Sequence, residues 1–211
     1  DAVWWNSRFN RDSFLRGLPR FLRQLPDERE PGLVSEVESL STVMPLGLDL
    51  GTLAGDSTPP RGGRPRVIWN HRWEHDKEPE GFDSLRNLLG DRLVQFGFVA
   101  DRREYGAWLR SGDVVVSTAR QEFFGAAVWE AVWCGCRPVL PDRLAYPELV
   151  PPEYHAAVLY EGSEALVDLL AVALGPPDRG LVTALGRHVA AFDWDVVAPR
   201  YDDALAAHLE A

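Results

Sequence analysis

The sequence predicts an α/β protein, with a Rossmann-like parallel sheet domain and a partial second domain at the N-terminal end. Three observations support this class. Short apolar strands alternate with helix-periodic segments through most of the chain. The strand at residues 113–117 contains a continuous Val-Val-Val run, as expected when helices cover both faces of a sheet. A Pro- and Gly-rich linker at residues 56–65 separates the two parts.

Residues 1–55 are expected to be the partial domain. Ala2–Asn6 is a predicted strand, and residues 43–49 are a strand end followed by a turn. Between them, Ser13–Leu25 has apolar residues at helical spacing, and Pro26 is expected to end that helix. Because the chain opens on Asp rather than Met, within a predicted strand, we expect the natural N-terminus to lie upstream.

Residues 66–192 are expected to form the sheet domain, and residues 193–211 a C-terminal helix. A Pro-rich loop is predicted at Tyr146–Tyr154. Ser163 is the predicted N-cap of the helix that follows it. The predicted strands are Arg66–Asn70, Leu93–Gly97, Asp113–Ser117, Arg137–Leu140 and Ala157–Tyr160, and the predicted helices are Asp101–Leu109, Phe124–Cys134, Ser163–Leu174, Leu181–Phe192 and Val196–Leu209.

Composition narrows the possible functions. The net charge of -10 makes this stretch a poor binder of nucleic acid, although the arginines between Arg8 and Arg23 are either a basic patch or a solvated helix face. Cys134 and Cys136 are too close in sequence for an easy disulfide, so we expect two reduced thiols. Since neither a membrane span nor a secretory leader is visible, we expect a cytoplasmic protein without a membrane partner.

Glu122 and Glu130 frame the strongest candidate site. If the strand ends near Ser117, the next loop lies at the carboxyl edge of the sheet, where such folds bind ligands. The helix opening at Phe124 and Gly125 would direct backbone N–H groups at a phosphate, and glycine would allow close approach. Glu122 could then accept hydrogen bonds from sugar hydroxyls and Glu130 from a ribose diol. The alternative is a pair of glutamates on a solvated helix face.

Arg72 and Lys77 follow another predicted strand. They could clamp a diphosphate, the arginine by its planar fork and the lysine as a point charge. The alternative is surface ion pairing with Glu74, Asp76 and Glu78.

Other motifs give weaker signals. His71 and His75 are four residues apart, but the sequence offers no third zinc ligand. Asp193 and Asp195 spell a D-x-D pattern, yet they lie between two helices, where capping is the better interpretation. No dinucleotide fingerprint, phosphate loop or nucleophile elbow is present in the sequence.

Taken together, these residues resemble a known family. Glu122 to Glu130, followed by Ala-Val-Trp-Cys-Gly-Cys-Arg-Pro-Val, resembles the E-x7-E signature of retaining glycosyltransferases of family four, which have the two-domain GT-B fold. Arg72 and Lys77 match the pair that holds the donor diphosphate in that family. Residues 69–77, 117–125 and 146–154 resemble more specifically the tRNA-queuosine mannosyltransferases, and the likeness runs from about residue 2 to residue 154.

The resemblance implies retaining transfer of mannose from GDP-mannose to queuosine in tRNA, without a cofactor or a metal. Arg72, Lys77 and the helix start at Phe123–Gly125 would stabilise the diphosphate, Glu122 would position the sugar, and Glu130 would hold the ribose. Gly97 and Phe98 would lie near the base, although core packing is an equal alternative. tRNA would bind through an N-terminal domain that is mostly missing here.

Two departures from the family pattern leave other functions open. Most of the acceptor domain is absent, and residues 79–90 are much shorter than the corresponding family segment. A nucleotide-sugar-binding module without catalysis is therefore one alternative. A GT-B enzyme that acts on a lipid or glycan is another, and the acidic net charge of -10 favours it mildly over a tRNA enzyme.

Overall fold

The computed structural model describes residues 1–25, 32–55, 63–71, 75–77 and 98–209. Its strands are β1 (Val3–Trp5), β2 (Ser41–Val43), β3 (Val67–Ile68), β4 (Val114–Val116), β5 (Arg137–Pro141) and β6 (Leu159–Tyr160). Its α-helices are α1 (Arg8–Leu22), α2 (Leu33–Ser39), α3 (Arg102–Ser111), α4 (Ala126–Trp133), α5 (Tyr146–Leu149), α6 (His155–Val158), α7 (Gly162–Ala173), α8 (Arg179–Val189) and α9 (Trp194–Leu209).

Four strands form the main sheet in the order β3-β4-β5-β6, and every neighbouring pair is parallel. The register places Val67 beside Val114 and Val115 beside Pro138. In a parallel sheet, the loops that follow β3 and β4 must leave from the same edge. The fold thus brings residues 69–71 and 75–77 to the same edge as residues 117–125, as the sequence predicts.

The central strand β4 is buried on both faces. Val115 packs into a core with Trp129 of α4, whereas Val114 and Val116 pack on the other side with Leu170 of α7. All three valines are fully buried. The continuous apolar run in the sequence is therefore explained by helices on both sides of the sheet.

The first part of the chain is a smaller unit with its own two-stranded parallel sheet, β1-β2. Its helix α1 begins at Arg8, five residues before the predicted start, because the Ser7 side chain accepts a hydrogen bond from the Asn10 N–H and caps it. The helix α2 was not predicted from the sequence. The helix α1 ends at Leu22, three residues before the predicted end at Leu25, where the Arg23 N–H donates to the Phe21 and Pro19 carbonyls. Pro26 lies outside the described residues.

The last helix returns to this smaller unit. Asp193 bridges in parallel to Leu48, and the ring of Tyr201 meets that of Trp4 edge-on at 5.2 Å. Asp193 also caps α9, since its carboxylate accepts from the Asp195 N–H at 2.9 Å. The capping interpretation of the D-x-D pattern is therefore confirmed.

Three local predictions were wrong. The predicted strand Ala157–Tyr160 is a strand only at Leu159–Tyr160, because His155–Val158 forms helix α6 and buries Val158 in the core. Tyr146–Tyr154 is helix α5 followed by a 3-10 turn rather than a loop, because Tyr146 and Leu149 bury themselves in the core. Ser163 lies inside α7, and the N-cap of that helix is Glu161, whose side chain makes no capping bond.

Several predictions lie outside the described residues, namely most of the linker at 56–65, the strand Leu93–Gly97 and the shortened segment at 79–90. Both cysteines are free thiols, Cys134 half-buried and Cys136 buried. The exposed arginines of α1 include Arg8 and Arg16. Of the described helices, none combines the length and the apolar character needed to cross a bilayer.

Candidate donor-binding site

The loops that follow β3 and β4 are joined by hydrogen bonds. The Thr118 hydroxyl donates to the Lys77 carbonyl at 2.8 Å, and the Asp76 carbonyl accepts from the N–H groups of Arg120 and Gln121 at 2.8 and 3.2 Å. The indole of Trp69 donates to the Thr118 hydroxyl at 3.1 Å. These bonds hold a 3-10 turn, His75–Lys77, against the loop that leads into α4.

Lys77 lies at the centre of this junction. Its ammonium contacts the Gln121 carbonyl at 2.7 Å, the Asp76 carboxylate at 3.1 Å and the Glu122 carboxylate at 3.2 Å. The residue is only 8% exposed. An ammonium has three donors, so these three oxygens can occupy all of them. A phosphate that binds here would replace an internal oxygen rather than water.

Glu122 occupies the start of the α4 segment. One carboxylate oxygen contacts Lys77, and the other accepts from the N–H groups of Phe123 at 3.1 Å and Phe124 at 3.4 Å. These are among the N–H groups that the sequence assigns to the donor phosphate. In this structure the Glu122 carboxylate therefore stands in for an anion at that position.

Gly125 shapes the turn into α4. Its φ of +84° lies in the left-handed region, and a Cβ there would approach the Tyr146 ring to 3.0 Å. The neighbouring Phe123 is 42% exposed and Phe124 is buried against Phe192. Phe124 can thus reach a ligand only through its backbone.

Glu130 lies one helical turn beyond Ala126, the first residue of α4. One of its oxygens accepts from the Arg102 guanidinium at 2.7 Å and the other from the Tyr105 hydroxyl at 2.9 Å. Its side chain is 13% exposed. Burial and the Glu130 carboxylate both raise the pKa of Tyr105, so the phenol keeps its proton and donates. A solvated helix face is excluded for Glu130.

His71 follows β3 and lies close to the Lys77 junction. Burial lowers the pKa of the imidazole to about 4, although the Glu122 carboxylate opposes that effect. Its ring stands edge-on to Trp69 with the centroids 5.5 Å apart. Among the described residues, none hydrogen-bonds its buried Nε2. The imidazole is therefore neutral near pH 7.

The lowered pKa of His71 predicts a loss of stability in acid. The unfolded imidazole takes up a proton below its ordinary pKa of 6.5, whereas the folded one does so only near 4. The free energy of unfolding should therefore fall as the pH drops through this window, by the order of 2 kcal/mol from this group. Urea denaturation at about pH 7 and about pH 4.5 measures the fall, and His71→Asn should lose less than the wild type. Equal losses would contradict the assignment.

Some predicted site residues cannot be placed. Arg72 and Gly97 lie outside the described residues. The clamp of a diphosphate by Arg72 and Lys77 stays a prediction. Phe98 is 92% exposed, so it is not a core residue. Within the described part of the chain, no cluster of three His, Cys, Asp or Glu residues is placed to hold a metal ion.

The sequence reasoning missed Arg102, Tyr105 and Asn70, since nothing in their spacing links them to Glu130. It also missed a compositional signal. Of the 22 Lys and Arg residues in the chain, Lys77 is the only lysine. This lysine lies at the junction of the two loops, where a compact point charge with three donors meets three oxygen atoms.

A parallel sheet with the loop that leads into α4 at its carboxyl edge, joined to a smaller α/β unit by a returning C-terminal helix, is the arrangement of a GT-B fold. Solved structures agree. Sucrose-phosphate synthase from Thermosynechococcus elongatus matches with a TM-score of 0.71 at 18% identity, over 100% of this chain and 59% of that one. HepE from Anabaena, in complex with UDP and glucose, matches with a TM-score of 0.70 at 18% identity, over 97% and 62%.

The sequence is more specifically similar to one family. Residues 1–48 match the family described as tRNA-queuosine alpha-mannosyltransferase N-terminal. The tRNA-queuosine alpha-mannosyltransferase of Drosophila melanogaster is 33% identical over 208 residues, which cover 81% of this chain and 54% of the relative. The chain thus spans about half the length of that relative.

Proposed function

We propose that this chain carries the donor site of a glycosyltransferase that transfers mannose from GDP-mannose, with retention, to queuosine in tRNA. The observation that carries the proposal is the contact between Lys77 and Glu122 at the start of α4. A cation, an acid and the backbone N–H groups of Phe123 and Phe124 converge there, the N–H groups donating to the Glu122 carboxylate. Each has a partner on a sugar diphosphate: the phosphate oxygens for the ammonium and the N–H groups, and the sugar hydroxyls for the carboxylate.

The spacing along α4 supports a nucleoside diphosphate. Glu130 lies four residues beyond Ala126, which is about 6 Å along a helix. A diphosphate at the helix start would place a ribose near Glu130. The two acids then contact opposite ends of one nucleotide sugar: Glu122 contacts the transferred sugar and Glu130 contacts the nucleoside.

The engagement of both acids supports retention by front-face displacement. Glu122 is bonded to Lys77 and to backbone N–H groups, and Glu130 to Arg102 and Tyr105. Neither is a free nucleophile of the kind that retaining glycosidases use. In the proposed step the bond from the sugar's anomeric carbon to the diphosphate breaks, the acceptor oxygen bonds to the same face, and the acceptor's proton passes to the diphosphate.

The similarity to the Drosophila mannosyltransferase supports mannose as the transferred sugar and queuosine as the acceptor. The guanine base comes from the sequence resemblance. The acidic net charge of -10 supports placing the tRNA contacts outside this chain's own surface. We place the protein in the cytoplasm, where its tRNA acceptor is found.

Calorimetry and a transfer assay test this function. We expect the protein to bind GDP and GDP-mannose, and UDP-glucose more weakly. When the assay is made on the full-length protein, we also expect labelled mannose to pass from GDP-mannose to tRNA that contains queuosine and not to tRNA that lacks it. Glu130→Gln should weaken GDP binding by about tenfold or more, because a hydrogen bond to a charged acceptor is lost.

Failure of the protein to bind GDP would overturn the donor assignment. Binding of GDP-mannose without transfer to any tRNA, and without hydrolysis of the donor, would instead favour a nucleotide-sugar-binding module. The contacts of the Lys77 ammonium with three oxygen atoms of the protein give that second function its support. Transfer to a lipid or glycan acceptor, but not to tRNA, would overturn the acceptor assignment alone.

A further inference from the structure

The hydrogen-bond network around Glu130 continues to Asn70 at the end of β3. The Asn70 amide nitrogen donates to the Tyr105 hydroxyl at 3.1 Å and to the Ala127 carbonyl at 2.5 Å. A backbone carbonyl can only accept, so this contact fixes which end of the amide is which. The Tyr105 hydroxyl then accepts from Asn70 and donates to Glu130.

The network ends at an unsatisfied acceptor. The Asn70 Oδ1 atom is buried, and among the described residues it has no hydrogen-bond partner. A buried polar atom without a partner costs about 1–3 kcal/mol. A network that served only to join α3 to α4 would have no reason to carry this cost, so the free acceptor points to a ligand that brings a donor.

The Glu130 carboxylate also has capacity left. Two oxygens offer about four acceptor positions, and Arg102 and Tyr105 occupy one on each oxygen. With 13% of its side chain exposed, Glu130 can still be reached by a ligand. Asn70 and Glu130 both bond to the Tyr105 hydroxyl, and each has acceptor capacity left, which suits a vicinal diol with two O–H donors.

Arg102 fixes the other side of the carboxylate. Besides Glu130, its guanidinium donates to the Thr52 hydroxyl at 3.2 Å and to the Asp49 carbonyl at 3.3 Å. The arginine is therefore anchored to the segment that leaves the smaller unit, and it cannot swing freely with Glu130. The carboxylate is held from both sides before any ligand arrives.

We propose that Arg102 and Tyr105 are positioning residues that hold Glu130 for the ribose of the donor, and that Asn70 Oδ1 is a second acceptor for the same diol. This inference rests on the proposed function, since it needs a nucleoside diphosphate with its ribose beside Glu130. The network makes the site selective for a ribose with both hydroxyls.

Titration with two nucleotides isolates the diol. GDP and 2′,3′-dideoxy-GDP share the base and the diphosphate, so the ratio of their Kd values measures only the hydroxyl contacts. The wild type should bind dideoxy-GDP at least about tenfold more weakly than GDP, because dideoxy-GDP lacks the hydroxyls that donate hydrogen bonds to a charged acceptor. Tyr105→Phe should weaken GDP binding about fivefold and leave dideoxy-GDP within about twofold, so that the ratio shrinks.

Arg102→Lys provides an independent variant if Tyr105→Phe fails to fold, because it keeps the charge and loses the fixed fork. The ratio of the two Kd values should shrink in this variant as it does in Tyr105→Phe. If Tyr105 and Arg102 served only in folding, their substitution would weaken the binding of both nucleotides equally. An unchanged ratio of the two Kd values in either folded variant would overturn the inference. A wild type that binds both nucleotides equally would overturn it as well. If the wild type does not bind GDP at all, the proposed function itself is wrong.

Discussion

Lys77→Met should weaken the binding of GDP by about 100-fold, and it should leave the weak binding of guanosine unchanged. Methionine keeps the length of the side chain but removes the ammonium that faces the Glu122 carboxylate. A buried, charge-assisted contact to a diphosphate contributes about 2–5 kcal/mol, and its loss falls only on ligands that carry phosphate. Isothermal titration with the two ligands measures both affinities.

Lys77→Arg is expected to be nearly as defective, because the larger fork does not fit between the Gln121 carbonyl and the Asp76 and Glu122 carboxylates. Arg187→Met removes the same charge from an exposed position on α8 and should change nothing. If Lys77→Met binds GDP as the wild type does, or loses guanosine and GDP equally, Lys77 does not contact the diphosphate.

Glu122→Gln should give an opposite pair of effects. We expect transfer of the sugar to fall by about 100-fold or more, a loss typical for one preorganised polar contact in a transition state. We expect GDP to bind several-fold more tightly, because the carboxylate that occupies the Phe123 and Phe124 N–H groups and contacts Lys77 no longer competes with phosphate. Amide and acid have the same shape, so the change isolates the charge.

Single-turnover assays and GDP titration separate the two effects. Glu153→Gln, at an exposed position in the 3-10 turn after α5, is the matched control for the lost negative charge. Weaker GDP binding in Glu122→Gln would mean that the acid supports the diphosphate site instead of competing with it. Unchanged transfer would remove Glu122 from the reaction.

The fold was predictable because its signals are local and consistent. The valine run of β4 and the alternation of strands with helices specify a parallel sheet, and that topology alone places the loops after β3 and β4 at one edge. The ends of elements were less predictable. Ser7 caps α1 earlier than its apolar period begins, and the burial of Tyr146 turns a Pro-rich stretch into a helix.

The donor site was predictable only in part. The motif spacing located Lys77, Glu122 and Glu130, but it said nothing of their partners. Arg102 and Tyr105 reach Glu130 across 28 and 25 residues of sequence, and no periodicity connects such positions. The spacing also could not reveal that Glu122 accepts from the Phe123 and Phe124 N–H groups, because that depends on a side-chain rotamer.

The central claim is that the donor diphosphate binds between the Lys77 ammonium and the first turn of α4. A crystal structure of the protein with GDP tests it most directly. The claim predicts a β-phosphate oxygen within about 3 Å of the Lys77 Nζ and of a backbone nitrogen in residues 123–126, with the Glu122 carboxylate moved off the Phe123 and Phe124 N–H groups. A bound GDP whose phosphates lie elsewhere, while Glu122 keeps those N–H groups, would contradict it.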